Sequence, residues 1–293
     1  MADIHNPSAW QRICSCLVRD PLIYLYTVVL GTASLLCSLW DRDGREQHRV
    51  ARLWARLMLK AAGCPLTIVG AENLAAEATT ASAGNSGRAC IYACNHISAL
   101  DIPVLYHGVP FQFRIMAKRE LFRYPFLGWH LRRSGQIPID RDTTRSALRS
   151  LRQASETVRR GMPLLVFPEG GRSANGQVQP FLGGAFFVAI RSGAPIVPMA
   201  IVGSFEAVPM NRFVIKPRPL TLAVGKPIST AEFSPRDMDR LAAIAQKAVE
   251  DLYYARAQVS DPRGEPALPA APSAPAPQQT QKTASAGDPA AQS

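Results

Sequence analysis

The sequence predicts an α/β domain with a mainly parallel central sheet flanked by helices, preceded by N-terminal membrane-associated helices. One observation is that short apolar runs, such as Leu164 to Phe167 and Ile196 to Val202, alternate with helical patterns such as Thr144 to Arg160. Wholly apolar strands are typical of parallel sheets covered on both faces. The other is an uncharged stretch of twenty residues near the start, followed directly by an amphipathic segment.

The composition and net charge of the chain indicate which classes of partner it can bind. The chain has 293 residues, 47% of them hydrophobic, and a net charge of +11. Residues 255–293 carry three basic and three acidic side chains, so the whole positive excess lies in residues 1–254. A basic body suits membrane lipid, a phosphorylated substrate or nucleic acid. The six cysteines form no CxxC pair and no metal-ligand spacing, which predicts no metal site.

The uncharged stretch, Pro21 to Trp40, is long enough to cross a bilayer as one helix. Gly31 and the small residues after it leave a second arrangement open, in which two half-helices dip into one leaflet. The five arginines that follow the stretch outnumber the two that precede it, so a spanning helix places the main domain in the cytoplasm.

Gln47 to Lys60 is predicted to be an amphipathic helix. Its apolar residues recur at three- and four-residue steps on one face, and its basic residues line another: Val50, Leu53, Trp54, Leu57 and Met58 against Arg49, Arg52, Arg56 and Lys60. Helices with this pattern typically lie at the surface of an anionic membrane. Residues 1–62 are therefore predicted to be membrane-associated helices.

Residues 63–254 are predicted to form the α/β domain. Its predicted strands are Leu66–Val69, Ala89–Cys94, Arg114–Lys118, Gly135–Arg141, Leu164–Phe167, Ile196–Val202 and Leu220–Val224. Helices are predicted near residues 102–105, at 144–160 and 184–191, and from Ser234 to about Tyr254. Residues 75–88 are predicted to be a flexible loop, and the Ala-, Pro- and Gln-rich tail, 255–293, to be disordered.

A histidine and a carboxylate follow the second predicted strand, in Asn95-His96-Ile97-Ser98-Ala99-Leu100-Asp101. Histidine titrates near neutrality, and a carboxylate on its second ring nitrogen fixes the tautomer. The pair therefore suits a general base and the residue that orients it. Ser98 and Asp101 also match a capping box, which predicts a helix starting at Ser98 with Asp101 as its cap. The two interpretations are compatible.

Two further charged motifs follow predicted strands. Asp140-Arg141 comes after Ile139, and Pro168-Glu169-Gly170-Gly171-Arg172-Ser173 comes after Phe167. Glycines allow close backbone approach to a ligand, and an arginine can hold a phosphate with paired donors. A surface ion pair and a tight turn with a solvated Glu–Arg pair are the plainer interpretations. All three motifs lie at strand ends, where ligands bind in such sheets.

Together these residues resemble the glycerolipid acyltransferase family, closest to bacterial 1-acyl-sn-glycerol-3-phosphate (lysophosphatidic acid) acyltransferases. The resemblance covers about residues 68–228 and rests on four motifs in order. They are Asn95-His96-x-Ser98-x-x-Asp101, then Lys118-x-Glu120-Leu121 with Gly135-x-Ile137-x-Ile139-Asp140-Arg141, then Phe167-Pro168-Glu169-Gly170-x-Arg172-Ser173, and then Ile196-Val197-Pro198-Met199-Ala200-Ile201.

The resemblance implies an O-acyltransferase of phospholipid biosynthesis, with His96 and Asp101 as catalytic residues. It implies a substrate-binding set of Asn95, Ser98, Lys118, Asp140, Arg141, Glu169, Gly170, Gly171, Arg172, Ser173 and Pro198. The donor is acyl-CoA or acyl-carrier protein, and the acceptor is the sn-2 hydroxyl of lysophosphatidic acid, which becomes phosphatidic acid. No metal or redox cofactor is implied. The expected location is a bacterial inner membrane, with the active site facing the cytoplasm.

Two departures keep other functions open. Gly171 stands where the family usually has threonine, and Phe181-Leu182-Gly183-Gly184 stands where a lysine is frequent. Another lyso-lipid acceptor is therefore an alternative, and a non-catalytic membrane-binding homologue is a second. A nucleic-acid partner is disfavoured because the basic residues cluster beside an apolar segment rather than between exposed stacking aromatics.

Overall fold

The computed structural model describes residues 8–74, 89–140, 142–210 and 214–263. The predicted flexible loop at 75–88 and residues 264–293 of the predicted disordered tail lie outside these ranges, and so does Arg141. Residues 255–263 of the tail are described. Within them, Arg263 pairs with Asp261 and reaches back to Asp251 in the last helix of the domain, which ties this part of the tail to the domain.

The apolar N-terminal stretch forms one long helix, α1 (Ala9–Cys37), with a π-helical turn at Ser15–Arg19. Among the described residues it is the one helix long and apolar enough to cross a membrane, and only 6% of its most apolar window is buried. Such exposure is unlike a core helix. The helix continues through Gly31 without a break, so the two half-helices considered from the sequence do not form.

The predicted amphipathic helix is α2 (Arg45–Ala62), which packs along α1. The Trp54 indole N–H donates a hydrogen bond to Thr27 Oγ1 in α1 (3.0 Å). Three alanines lie on the buried face of α2, which consists of Gln47, His48, Ala51, Ala55, Leu59 and Ala62. The larger apolar side chains of the predicted apolar face, Val50, Leu53, Trp54, Leu57 and Met58, lie half-buried or exposed.

Within the described residues, seven strands form one sheet in the order β1-β7-β6-β2-β5-β3-β4. They are β1 (Leu66–Val69), β2 (Ile91–Cys94), β3 (Arg114–Lys118), β4 (Ile137–Ile139), β5 (Leu164–Val166), β6 (Ile196–Val202) and β7 (Leu220–Val224). Every neighbouring pair is parallel except β6 with β7. The predicted fold class is thus confirmed.

Helices cover both faces of the sheet. They are α3 (Asp101–Gly108), α4 (Leu127–Arg133), α5 (Thr144–Arg159), α6 (Gly184–Ser192), α7 (Ser204–Ala207) and α8 (Met238–Tyr254). Because successive side chains in a strand point to opposite faces, Tyr92 and Cys94 pack with α2 and α3, whereas Ile91 and Ala93 pack with α5, α6 and α8.

The parallel pairing fixes where the charged motifs meet. The strands β6, β2, β5, β3 and β4 run in one direction, so their carboxyl ends share one edge of the sheet. The residues after β2, β4 and β5 are the three charged motifs predicted from the sequence. A single edge therefore brings together side chains that are far apart in the chain.

Candidate active site

The turn after β2 is pinned to β6 by Asn95, whose side chain is fully buried. Its amide nitrogen donates to the Ile201 carbonyl (3.0 Å), and its amide oxygen accepts from the Ile201 N–H (2.7 Å). Both polar groups of this side chain are therefore occupied by backbone. Asn95 supports the turn that carries His96, and the structure does not bring its side chain to a substrate.

His96 and Asp101 form the predicted pair. His96 Nδ1 lies 2.8 Å from Asp101 Oδ2. The imidazole stacks on the Phe167 ring, with centroids 4.0 Å apart and planes inclined by 20°. The His96 side chain is 19% exposed, whereas that of Asp101 is fully buried. Because Nδ1 faces the carboxylate, Nε2 is the ring nitrogen left to exchange a proton, and it makes no hydrogen bond within the described residues.

The Asp101 carboxylate accepts four hydrogen bonds. Oδ2 takes the backbone N–H groups of Ile97 (2.7 Å) and Ser98 (2.8 Å) beside the His96 ring. Oδ1 takes the hydroxyl of Ser204 (2.7 Å), a fully buried residue at the start of α7. A carboxylate held by so many donors has one orientation, which fixes the ring of His96 in turn.

The predicted helix start at Ser98 is wrong. The helix α3 begins at Asp101, after Leu100 as its N-cap. Ser98 Oγ donates to the distant Val208 carbonyl (2.8 Å) and accepts from the Leu100 N–H (3.2 Å). Because the backbone N–H of Ser98 goes to Asp101, the segment 97–100 is a turn around that carboxylate rather than a helical turn. Ser98 is buried, so it too supports the turn.

The loop after β5 makes hydrogen bonds to both the backbone N–H and the backbone carbonyl of His96. Glu169 Oε1 accepts the His96 N–H (2.7 Å), and the Ser173 N–H donates to the His96 carbonyl (2.8 Å). Gly170 lies between them with φ of +77°, a conformation that glycine adopts without strain. The buried Ser173 hydroxyl bonds Asn175 within the loop. The loop motif at residues 168–173 therefore holds the turn that carries His96 in place.

Burial raises the pKa of Glu169 to about 8, the nearby Asp101 acts in the same direction, and hydrogen bonds from the backbone of His96 and Gln179 oppose the shift. A carboxyl group with this pKa carries its proton through most of the neutral range. The unfolded chain keeps the ordinary pKa of 4.5. The stability that Glu169 contributes is thus fully present below pH 4.5 and is lost as the pH rises to about 8.

We expect Glu169→Gln to flatten the pH dependence of folding. Between pH 5 and pH 8 the wild-type chain should lose up to about 1.4 kcal/mol of unfolding free energy per pH unit relative to the variant. The measurement is denaturant unfolding in detergent at several pH values. Glu232→Gln, which removes an exposed carboxylate, should leave the wild-type slope unchanged. Parallel curves for wild type and Glu169→Gln would contradict the prediction.

The predicted phosphate-binding residues lie at the same sheet edge. Lys118 ends β3 and is exposed, and Gly171 and Arg172 are exposed in the loop after β5. Within the described residues, Arg172 has no hydrogen bond or ion pair, so its guanidinium is available to a ligand. A Cβ at Gly171 would have no neighbour within 4 Å, so open space rather than crowding surrounds this position.

Asp140, predicted to bind substrate, makes its described contacts with protein groups. Its carboxylate pairs with Arg119 and accepts the Asp142 N–H (3.0 Å), and its own N–H donates to Ser150 Oγ (3.2 Å). The hydrogen bond from Asp142 and then the Arg119 contact lower the pKa of Asp140. Asp140 is thus committed to fixing the end of β4. Arg119 escaped the sequence analysis, although it is the unspecified residue between Lys118 and Glu120.

The structure does not bring Pro198 to the site. It lies inside β6 opposite Ala93, three residues before the level of His96, and it is buried. The Gly225 backbone packs against its ring: a Cβ on Gly225 would lie 2.8 Å from Pro198 Cγ. The side chain of Pro198 therefore packs the core between strands, which is a structural contribution rather than a substrate contact.

An apolar pocket of about 210 Å³ opens beside the catalytic turn. It lies between the carboxyl ends of the strands and the helices α5 and α6. Phe167, which stacks on the His96 ring, forms part of its wall. The other lining residues are Met116, Ile139, Ala147, Leu151, Val166, Pro168, Leu182, Gly184 and Ala185. The sequence alone does not indicate this pocket, because its walls come from five separate segments.

Known proteins share this arrangement of sequence and fold. A family model described as Acyltransferase matches residues 65–202, which run from just before β1 to the end of β6. A 1-acyl-sn-glycerol-3-phosphate acyltransferase of Limnanthes alba is 30% identical over 260 residues, covering 86% of each chain. The chain belongs to the glycerolipid acyltransferase family. A protein of the same name from the yeast Saccharomyces cerevisiae is 31% identical, and the alignment covers 75% of this chain and 69% of the yeast protein.

Two further relatives bear on this family assignment. A chloroplastic 1-acyl-sn-glycerol-3-phosphate acyltransferase of Brassica napus is 32% identical over 71% of this chain, which spans 57% of that relative's length. The crystal structure of the acyltransferase PlsC from Thermotoga maritima has 24% identity and a TM-score of 0.66, covering 83% of this chain and 97% of that one. The latter shows the shared acyltransferase fold.

Proposed function

We propose that this acyltransferase transfers an acyl chain from acyl-CoA or acyl-carrier protein to the sn-2 hydroxyl of lysophosphatidic acid, giving phosphatidic acid. The observation that carries the proposal is the His96–Asp101 pair, with four hydrogen bonds to the one carboxylate, at a sheet edge that also presents Lys118 and Arg172. A general base beside exposed cations suits an acceptor with a hydroxyl and a phosphate.

The mechanism follows from the free ring nitrogen. His96 Nε2 takes the proton of the acceptor hydroxyl as its oxygen attacks the thioester carbonyl of the donor. When the tetrahedral intermediate collapses, the new C–O bond remains and the C–S bond breaks. The imidazolium then returns the proton to the departing thiolate. Asp101, buried beside Nδ1, stabilises the imidazolium between the two transfers. We propose no cofactor besides the donor.

The apolar pocket is the natural place for the acyl chain of the donor. Its lining residues are all apolar or glycine, and Phe167 connects it to the ring of His96. An acyl chain in this pocket brings its carbonyl carbon towards the catalytic turn, and apolar burial stabilises it by about 0.8 kcal/mol per methylene. The acceptor then approaches from the side of Lys118 and Arg172. Arg141, outside the described residues, is proposed to join them.

A radiolabelled acyl-CoA assay tests the proposal with a panel of acceptors. Purified protein in detergent is offered lysophosphatidic acid, lysophosphatidylcholine and lysophosphatidylglycerol, and lipid products are separated. We expect labelled phosphatidic acid as the main product. A preference for either lysophospholipid would favour the alternative acceptor that Gly171 keeps open, since this position lacks the hydroxyl usual in the family. Absence of thiol release with every acceptor would leave a membrane-binding homologue.

Arg172→Ala should raise the KM for the lysophosphatidic acid acceptor by about 10- to 100-fold, because a charge-assisted hydrogen bond to phosphate contributes roughly 1.5–3 kcal/mol. The KM for acyl-CoA should stay within about twofold of the wild-type value, given that the donor thioester lies on the pocket side. Initial rates at varied concentrations of each substrate give both constants. Arg149→Ala, an exposed arginine on α5, is the matched control. An effect on acyl-CoA alone would contradict the assignment.

For the location in the cell, we propose a bacterial inner membrane with the active site facing the cytoplasm. The exposed, apolar helix α1 supports attachment to a membrane. The arginines of the following turn and of α2 support a cytoplasmic catalytic domain, since positive charge accumulates on that side. Protease protection in sealed inverted and right-side-out vesicles tests the orientation.

A further inference from the structure

A cluster of exposed apolar side chains lies on the catalytic domain itself, after β3. It comprises Leu121 in the 3₁₀ turn Arg119–Arg123, Leu127 and Trp129 in the helix α4, and Tyr124 and Phe126 between them. We name this set the aromatic surface. Phe126 is 65% exposed and Trp129 is 49% exposed, and their rings contact each other with centroids 5.3 Å apart. Contiguous exposed apolar groups of this kind mark interaction sites.

The backbone is strained to present this surface. Phe126 has φ of +58° and ψ of −63°, and among the described residues it is the one non-glycine with positive φ. The Gly128 N–H donates to the Tyr124 carbonyl (2.8 Å), and a Cβ at Gly128 would collide with the Phe122 backbone. This tight turn points Phe126 outward. Strain that exposes a large apolar ring opposes folding, so a ligand for that ring is the expected compensation.

The aromatic surface is joined to the helix α1. Ser34 Oγ, buried in the contact, lies 2.9 Å from His130 Nδ1 in α4, and an Arg133 guanidinium N–H donates to the Ser38 carbonyl (3.4 Å). At this end of α1 the exposed side chains are also apolar: Leu36, Leu39 and Trp40. The apolar face of α1 therefore continues onto the catalytic domain.

The segment that carries the aromatic surface is strongly basic. Residues 118–133 contain Lys118, Arg119, Arg123, Arg132 and Arg133 against the single carboxylate Glu120. Exposed aromatic rings in a basic segment match the boundary between acyl chains and anionic headgroups, where Trp and Tyr rings lie and Lys or Arg contact phosphate. A protein partner with a matching acidic rim would have to leave α1 exposed, whereas a bilayer covers both surfaces at once.

We propose that the aromatic surface inserts into the headgroup boundary of the same membrane that binds α1, as a second contact made by the catalytic domain. The 3₁₀ turn follows β3 without a break, and Arg119 within it holds Asp140 at the end of β4. The surface is thus attached to the sheet edge that carries His96. Its insertion sets the mouth of the active site against the leaflet that supplies the acceptor, a consequence that rests on the proposed function.

The test compares two double variants of the full chain. Phe126→Ser with Trp129→Ser removes the two rings, and Leu148→Ser with Ile244→Ser removes two exposed apolar side chains from α5 and α8 as the matched control. Transfer is measured with a short-chain, water-soluble acceptor and with a long-chain acceptor embedded in phosphatidylcholine–phosphatidylglycerol vesicles. The aromatic variant should lower the ratio of embedded to soluble activity by at least about tenfold, from lost apolar burial. The control should keep the wild-type ratio.

A second measurement does not depend on catalysis. Wild-type protein is bound to vesicles of brominated phosphatidylcholine with phosphatidylglycerol, and its tryptophan fluorescence is compared with that of Trp129→Phe. The difference between the two proteins reports Trp129, and we expect bromine to quench this part of the fluorescence. An unquenched Trp129 overturns the proposal, and so does a wild-type activity ratio in the aromatic variant. If no acceptor is acylated at all, the proposed function fails, and the quenching result still decides whether the surface enters the bilayer.

Discussion

His96→Ala should lower kcat for acyl transfer by about 10²- to 10⁴-fold, which is the usual contribution of a positioned general base. The variant keeps the apolar pocket and Arg172, so both substrates should still bind with KM values near those of the wild type. What it loses is the one ring nitrogen placed to accept the hydroxyl proton. The measurement is the rate of thiol release from acyl-CoA at saturating acceptor.

The control for this variant is His107→Ala, because His107 lies at the end of α3 opposite Asp101. The control variant should transfer the acyl chain at the wild-type rate. Folding must be followed alongside, by thermal unfolding in detergent. The His96 ring stacks on Phe167, but Asp101 keeps three other donors without it, so we expect a folded variant. A folded His96→Ala protein that retains more than about a tenth of the wild-type rate would remove His96 as the base.

Much of the fold was predictable because its strands are unambiguous apolar runs. The observed bounds of β1, β3, β6 and β7 equal the predicted ones. A strand of this kind is recognised from its own residues alone, and parallel pairing then follows from the alternation with helices. The same local information placed His96, Lys118 and Arg172 at strand ends, and one sheet edge brings these ends together.

Local information failed where distant groups compete for a side chain. The spacing of Ser98 and Asp101 matched a capping box, but the Ser98 hydroxyl goes to Val208, 110 positions further along the chain. Asp140 was predicted as a substrate-binding residue, and its contact with Arg119, 21 positions earlier, was not predicted. Ser204 escaped notice because nothing near it in sequence indicates that it meets Asp101. The packing of distant strands therefore determines which hydroxyl or guanidinium donates to a given carboxylate.

Asp101→Asn is the second variant with a large expected effect. Asparagine can place its oxygen where Oδ2 now accepts the donors of His96, Ile97 and Ser98, and its amide nitrogen can donate to Ser204 Oγ, because a hydroxyl both donates and accepts. The turn should therefore keep its geometry. The negative charge beside the imidazolium is lost, and we expect kcat to fall by about 10²- to 10⁴-fold.

Ser204→Ala separates geometry from charge in this assignment. It removes the Ser204 hydroxyl, which is the one donor to Asp101 Oδ1 within the described residues, and leaves the carboxylate charge and the three contacts of Oδ2 intact. Because the charge remains, we expect a fall in kcat of about tenfold or less, well short of the effect of Asp101→Asn. Steady-state rates of both variants, with Asp239→Asn as an exposed-carboxylate control, make the comparison. Equal losses in Ser204→Ala and Asp101→Asn would mean that the orientation of the carboxylate, rather than its charge, limits transfer. Because Ser204 follows β6 and Asp101 follows the turn after β2, that result would place the catalytic limit in the alignment of two neighbouring strands.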